Sequence, residues 1–144
     1  VTATPRYDRS ILAALRGLRL PSGEFAVFGS GPLLVRGIID TVADLDVIAR
    51  RGAWDAAVAA GDLIELPEGV TIASCCDGAV TVGTTWAYGD FDVDELIDTA
   101  EIIAGLPFVR LEHVVAYKRL AGRPKDRDHL ERIAAHRRSG RRSW

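Results

Sequence analysis

The sequence predicts an α+β domain in which short strands gather into a β-sheet flanked by helices, with further helices closing the chain. Three observations carry this. A strand, a tight turn, a helix and a second strand fill residues 25–49; β-rich runs separated by turn residues fill 62–86; and helical patterns dominate after residue 93. The 144 residues are 48% hydrophobic, enough for one buried core, and no internal repeat or long linker divides them. The expected organisation is a single domain over 1–144, with 137–144 a flexible basic tail.

Each element has a local cause. Ile11, Leu12, Leu15 and Leu18 recur at helical spacing behind Asp8 and Ser10, either able to cap, and Pro21-Ser22-Gly23 ends that helix. Phe25 to Phe28 is an apolar strand running into Gly29-Ser30-Gly31-Pro32, where Pro32 suits the first turn of a helix over about Leu33–Gly37. Asp44 to Ala49 alternates as a second strand, Ala53 to Ala60 is an Ala-rich helix, and Gly61 stops it. Leu63–Leu66, Val70–Ala73 and Ala79–Val82 read as an antiparallel meander with Asp77-Gly78 as its hairpin turn. The adjacent Cys75 and Cys76 lack metal-ligand spacing and read as reduced strand residues. A helix is expected over about Val93–Ala104, closed by Gly105 and Pro107, then one over about Glu112–Leu120. After Gly122 and Pro124 a last helix from about Lys125 presents Leu130, Ile133 and Ala134 to the core.

The charge of −2 conceals a split. Residues 1–109 hold 7 basic and 16 acidic side chains, whereas residues 110–144 hold 11 basic and 4 acidic. The apolar content excludes an unfolded acidic chain, and the total excludes a uniformly basic nucleic-acid binder. No run approaches a membrane span, and arginines scattered through the first twenty residues do not fit a signal peptide, so a cytoplasmic protein is expected.

The chemistry-bearing pattern is Gly29-Ser30 on a strand-to-helix turn, then Asp44-Leu45-Asp46-Val47 on the next strand. Residues i and i+2 of a strand share a face about 7 Å apart, so Asp44 and Asp46 aim two carboxylates into one volume. A hard divalent ion, Mg²⁺ or Mn²⁺, would relieve their repulsion and be completed by phosphate and water. Gly29 lets the backbone approach a phosphate, Ser30 can hydrogen-bond it, and the helix start offers unpaired N–H groups. Lys118, one turn before Gly122, can meet a phosphate as a point charge, with Arg123 and Lys125 at the following break able to add to it.

This constellation resembles the signature of the polymerase-β-type nucleotidyltransferase superfamily, a Gly-Ser turn followed by Asp-x-Asp. Lys118 to Asp126, with Gly122-Arg123-Pro124-Lys125-Asp126, is similar to a segment of its small stand-alone members, including AbiEii-like toxin nucleotidyltransferases and antibiotic-modifying relatives. The resemblance spans about residues 25–130. It implies a minimal nucleotidyltransferase fold with a mixed β-sheet, and transfer of a nucleoside monophosphate from an NTP to an acceptor hydroxyl of RNA, protein or a small molecule. It implies catalytic roles for Asp44, Asp46 and Lys118, metal binding by Asp44 and Asp46, and nucleotide binding by Gly29, Ser30, Lys118, Arg123, Lys125 and Asp126.

The pattern is incomplete in one respect. Such enzymes usually draw a third carboxylate from a later central strand, and here that stretch, Ala79 to Trp86, contains no acid. Asp77, Asp90, Asp92 and Glu65 lie elsewhere. The alternative is therefore a catalytically degenerate nucleotide- or protein-binding module, such as half of a toxin–antitoxin pair. A third reading is RNA binding through 132–142. His113, His129 and His136 share no motif and are expected on helix surfaces.

Overall fold

A computed structural model describes residues 5–85 and 89–142 of the chain. Asp8 caps a 3₁₀ turn over Arg9–Ile11, accepting the Ser10 N–H at 2.9 Å, and α1 (Leu12–Leu18) continues from it. Then follow β1 (Phe25–Phe28), α2 (Gly31–Val35), β2 (Leu45–Ala49), α3 (Arg51–Ala60), β3 (Asp62–Glu65), β4 (Thr71–Cys75) and β5 (Val80–Gly83). The chain continues through α4 (Val93–Asp98), β6 (Glu101–Ile103), β7 (Leu106–Phe108), α5 (Leu111–Ala121) and α6 (Pro124–Arg142).

The seven strands form one mixed sheet in the order β3-β4-β5-β2-β1-β7-β6. β2 runs antiparallel to β1 and parallel to β5, so the two central strands carry the site and β5 flanks it. Every residue of β1 is buried, which is why it reads as an unbroken apolar run. The core gathers around it, from Leu33 and Leu34 of α2 to Leu96 of α4 and Ile133 of α6.

The region after residue 98 departs from the expected helix. α4 stops at Asp98, and 99–108 add a two-strand hairpin to the sheet instead. Ala104 and Gly105 both have positive φ, 53° and 79°, the geometry that a two-residue hairpin loop demands. Gly105 is therefore a hairpin turn rather than a helix stop. β-branched Ile102 and Ile103 gain a partner strand, and β7 in turn joins β1. Helical periodicity was fortuitous there, because pairing with a distant strand outweighed it.

Smaller differences have equally local causes. Cys75 is a buried strand residue, but Cys76 stands in the exposed β4–β5 turn with φ 54°, beside Asp77 and Gly78, also at positive φ. Burial pushes both thiols up. Ala134 faces solvent, while Ile133 is buried and Leu130 half-buried. Residues 137–142, read from composition as the start of a flexible tail, continue α6 in helical conformation. Trp86 and Trp144 lie outside the described residues. Among the described residues no helix is long and apolar enough to cross a membrane.

Candidate active site

The site begins where β1 ends. Gly29 has φ 64°, and a Cβ there would sit 2.6 Å from Oδ2 of Asp46, the residue paired with Phe28 across the β1–β2 ladder. A Cβ on Gly31 would collide with Val27. Both glycines are thus required, one by conformation and by Asp46, the other by the tight entry into α2. Pro32 sits in the first turn of α2, where its missing N–H costs nothing.

Asp44 and Asp46 lie together at the start of β2. Burial pushes the Asp46 carboxyl up to about 7, reinforced by the charge of Asp44 and a hydrogen bond shared with it; Lys125 and Lys118 oppose the rise. Two hard oxygen donors are thus packed tightly enough that one holds a proton near neutrality unless a cation replaces it. That fits a Mg²⁺-class ion. Among the described residues no third Asp, Glu, His or Cys completes a ligand cluster, so phosphate and water oxygens would supply the remaining positions.

The position facing Asp46 on β5 is Thr81, paired with it in parallel register. Its hydroxyl donates to Oδ2 of Asp44 at 2.8 Å. A hydroxyl therefore stands on the strand that supplies a third carboxylate in the resembling enzymes, and it orients one of the two that are present. Asp92 is committed to capping α4, accepting from the Glu95 N–H at 3.2 Å.

The opposite wall comes from the α5–α6 corner. Tyr117 packs against Phe28 with ring centroids 4.8 Å apart, and Phe91 lies 5.7 Å from Phe28, so aromatic contacts fix α5 against the end of β1. This brings the next residue, Lys118, to Ser30, its Nζ donating to the serine hydroxyl at 3.3 Å. Gly122 ends α5 in the left-handed conformation, φ 59°, and Arg123 precedes Pro124, the first residue of α6.

Asp126 then reaches back. It accepts from the Arg123 backbone N–H at 3.1 Å and from Nε at 2.7 Å, and it pairs with Lys118 at 3.4 Å. The backbone contact is the return half of a capping box. Lys118 is 1% exposed and Asp126 0%. Burial pushes Lys118 down, while Asp126 beside it resists. Burial would lift Asp126, but the hydrogen bonds from Arg123 and the charge of Lys118 hold it below the usual carboxylate range. Asp126 is therefore a buried brace for Lys118 and Arg123, set behind the residues that face the cleft.

Two cavities meet here. The first, about 230 Å³, is lined by Gly29, Ser30, Asp46, Thr81 and the cations Lys118, Arg123 and Lys125, with an apolar side from Leu66, Val70 and Ile72. The second, about 250 Å³, is lined by Asp44, Asp46, Ser30 and Lys125 together with Arg6, Thr41, Asp128 and His129. Glu68 and His129 are among the lining residues that the sequence pattern does not mark as site residues. Glu68, in the turn before β4, joins the first cavity, and its Pro67-Glu68-Gly69 context signalled only a turn. His129, expected on the helix surface, is half-buried, and its Nδ1 is buried without a hydrogen-bond partner. Burial pushes its imidazole down to about 4, with the charge of Lys118 and, less, Lys125 in the same direction and Asp128 and Asp126 against. The signal was its spacing: it lies one helical turn after Lys125.

The structure thus brings together Gly29, Ser30, Asp44, Asp46, Lys118, Arg123 and Lys125. No protein-family model, curated protein or solved structure matches the chain.

Proposed function

We propose that the protein is a metal-dependent nucleotidyltransferase, moving a nucleoside monophosphate from an NTP to an acceptor hydroxyl. The observation that supports it best is the convergence of Asp46 and the Gly29–Ser30 turn with Lys118 on one cleft, from elements far apart in sequence. Asp44 and Asp46 would hold Mg²⁺ or Mn²⁺, which when bound supplies charge to the α-phosphate and the leaving pyrophosphate. The chain's own residues do the rest. Ser30 and the backbone at Gly29 receive the triphosphate, Lys118 fixes Ser30, and Arg123 and Lys125 face the same anionic groups across the cleft. Thr81 holds Asp44 in place. The acceptor oxygen bonds to the α-phosphorus as the bond to the bridging oxygen breaks; pyrophosphate leaves with that electron pair, and the hydroxyl proton passes to water.

The assignment is tested with labelled NTPs, Mn²⁺ and cell lysate as acceptor source. Label transfer is expected and should vanish in Asp44→Ala plus Asp46→Ala; transfer that persists in that variant would falsify the role of the carboxylates. One observation favours a second reading, a binding module without catalysis: Thr81, not an acid, faces Asp46 on β5. NTP binding that does not tighten with Mg²⁺ in a calorimetric titration would select it.

A further inference from the structure

The second cavity differs from the first in its lining, yet both share Ser30, Asp46 and Lys125. The first has an excess of cations, suited to a triphosphate. The second is lined by Asp44, Asp46 and Asp128 beside Arg6 and Lys125, so its side chains lack the cation excess of the first. In-line displacement at phosphorus requires the attacking oxygen to enter opposite the leaving group. A triphosphate in the first cavity with its α-phosphate at Ser30 and Asp46 therefore leaves the second as the approach for the acceptor.

His129 strengthens this. A buried nitrogen without a partner lowers stability, and a local rule broken without structural gain marks a functional position. With Nδ1 sealed and the ring neutral, the nitrogen available to the cavity is Nε2, a hydrogen-bonding group that adds no charge. The lining of Thr41, His129 and carboxylate oxygens matches hydroxyls, and about 250 Å³ has room for one sugar-sized unit.

We propose that the second cavity is the acceptor subsite, that it takes a neutral sugar or polyol hydroxyl, and that His129 recognises it. This rests on the nucleotidyltransferase reading. The test uses NMR on the full chain with Mg²⁺ and non-hydrolysable triphosphates of each base, followed by D-ribose at tens of millimolar. The triphosphate should shift the amides of Gly29, Ser30, Arg123 and Lys125 and leave 41–43 in place. Ribose should then shift 41–43 and the His129 ring. His129→Phe should abolish the ribose shifts, keep the triphosphate shifts and raise Tm, whereas a merely structural histidine would lower Tm on removal. Ribose that moves nothing at 41–43, a triphosphate that itself occupies 41–43, or ribose shifts that survive His129→Phe would overturn the proposal alone. If no triphosphate shifts 29–30, the nucleotidyltransferase reading falls and takes the acceptor subsite with it.

Discussion

The two sides of the cleft carry charge in opposite ways. At the α5–α6 corner Lys118 and Arg123 share a partner: both meet Asp126, and the backbone N–H of Arg123 is capped by the same carboxylate. At the start of β2, two carboxylates face one another; a threonine hydroxyl donates to Asp44, and Asp46 is driven toward protonation. The corner is a self-sufficient structural unit that presents cations; the strand is an electrostatic conflict that the fold tolerates. A conflict kept at the mouth of a cavity is what a site awaiting a cation requires, and a satisfied network nearby holds its geometry.

That contrast can be broken from either side. Replacing both carboxylates, Asp44→Asn with Asp46→Asn, should lower metal-dependent label transfer at least about 100-fold while raising Tm, because the repulsion disappears. A fall in Tm would mean that the pair stabilises the fold. Next in size, Asp126→Ala strands Lys118 in the core and should cost about 3–5 kcal/mol in urea unfolding. Lys118→Met with Asp126→Leu should restore much of that stability without restoring nucleotide binding, separating the brace from the phosphate contact.

The strand side also predicts a pH dependence. Asp46 ionises near 3.8 when unfolded and near 7 when folded, so the native state retains a proton that the unfolded state has lost. Stability should therefore decline as pH rises from about 4 to about 7 and level off above it. Chemical denaturation across that range checks the slope, Asp46→Asn should flatten it, and Mn²⁺ should restore stability at pH 8 but not at pH 4. A slope unaffected by Asp46→Asn would assign the titration elsewhere. The smallest effect is expected where Arg132 and Asp128 of α6 pair at 2.9 Å with both side chains more than half exposed. Arg132→Ala should change stability by about 0.5 kcal/mol or less, because an exposed ion pair gains little in water.

The charge split along the chain reads differently in three dimensions. Some of the acidic side chains are held in local ion pairs: Arg50 binds Glu24, Asp94 and Asp98, at 3.2, 2.6 and 2.7 Å, although its single charge offsets only one of the three. Only part of the acidic excess, Asp44 and Asp46, faces the basic corner.

The sequence by itself determined β1, the glycine turn, β2 and the Gly122–Pro124 break, because each rests on neighbours a few residues away: an apolar run, a glycine that alone accepts positive φ, a proline that cannot continue a helix. It also put both carboxylates on one strand face and left Ala79–Val82 without an acid. Only the tertiary structure decided the β6–β7 hairpin, since Ile102 and Ile103 match a helix as well as a strand until β1 offers an edge through β7. It alone turned Asp126 from a candidate ligand into a buried brace and placed His129 at a cavity. Those outcomes depend on what burial does to a charge or a ring nitrogen, and burial is set by residues distant in the chain.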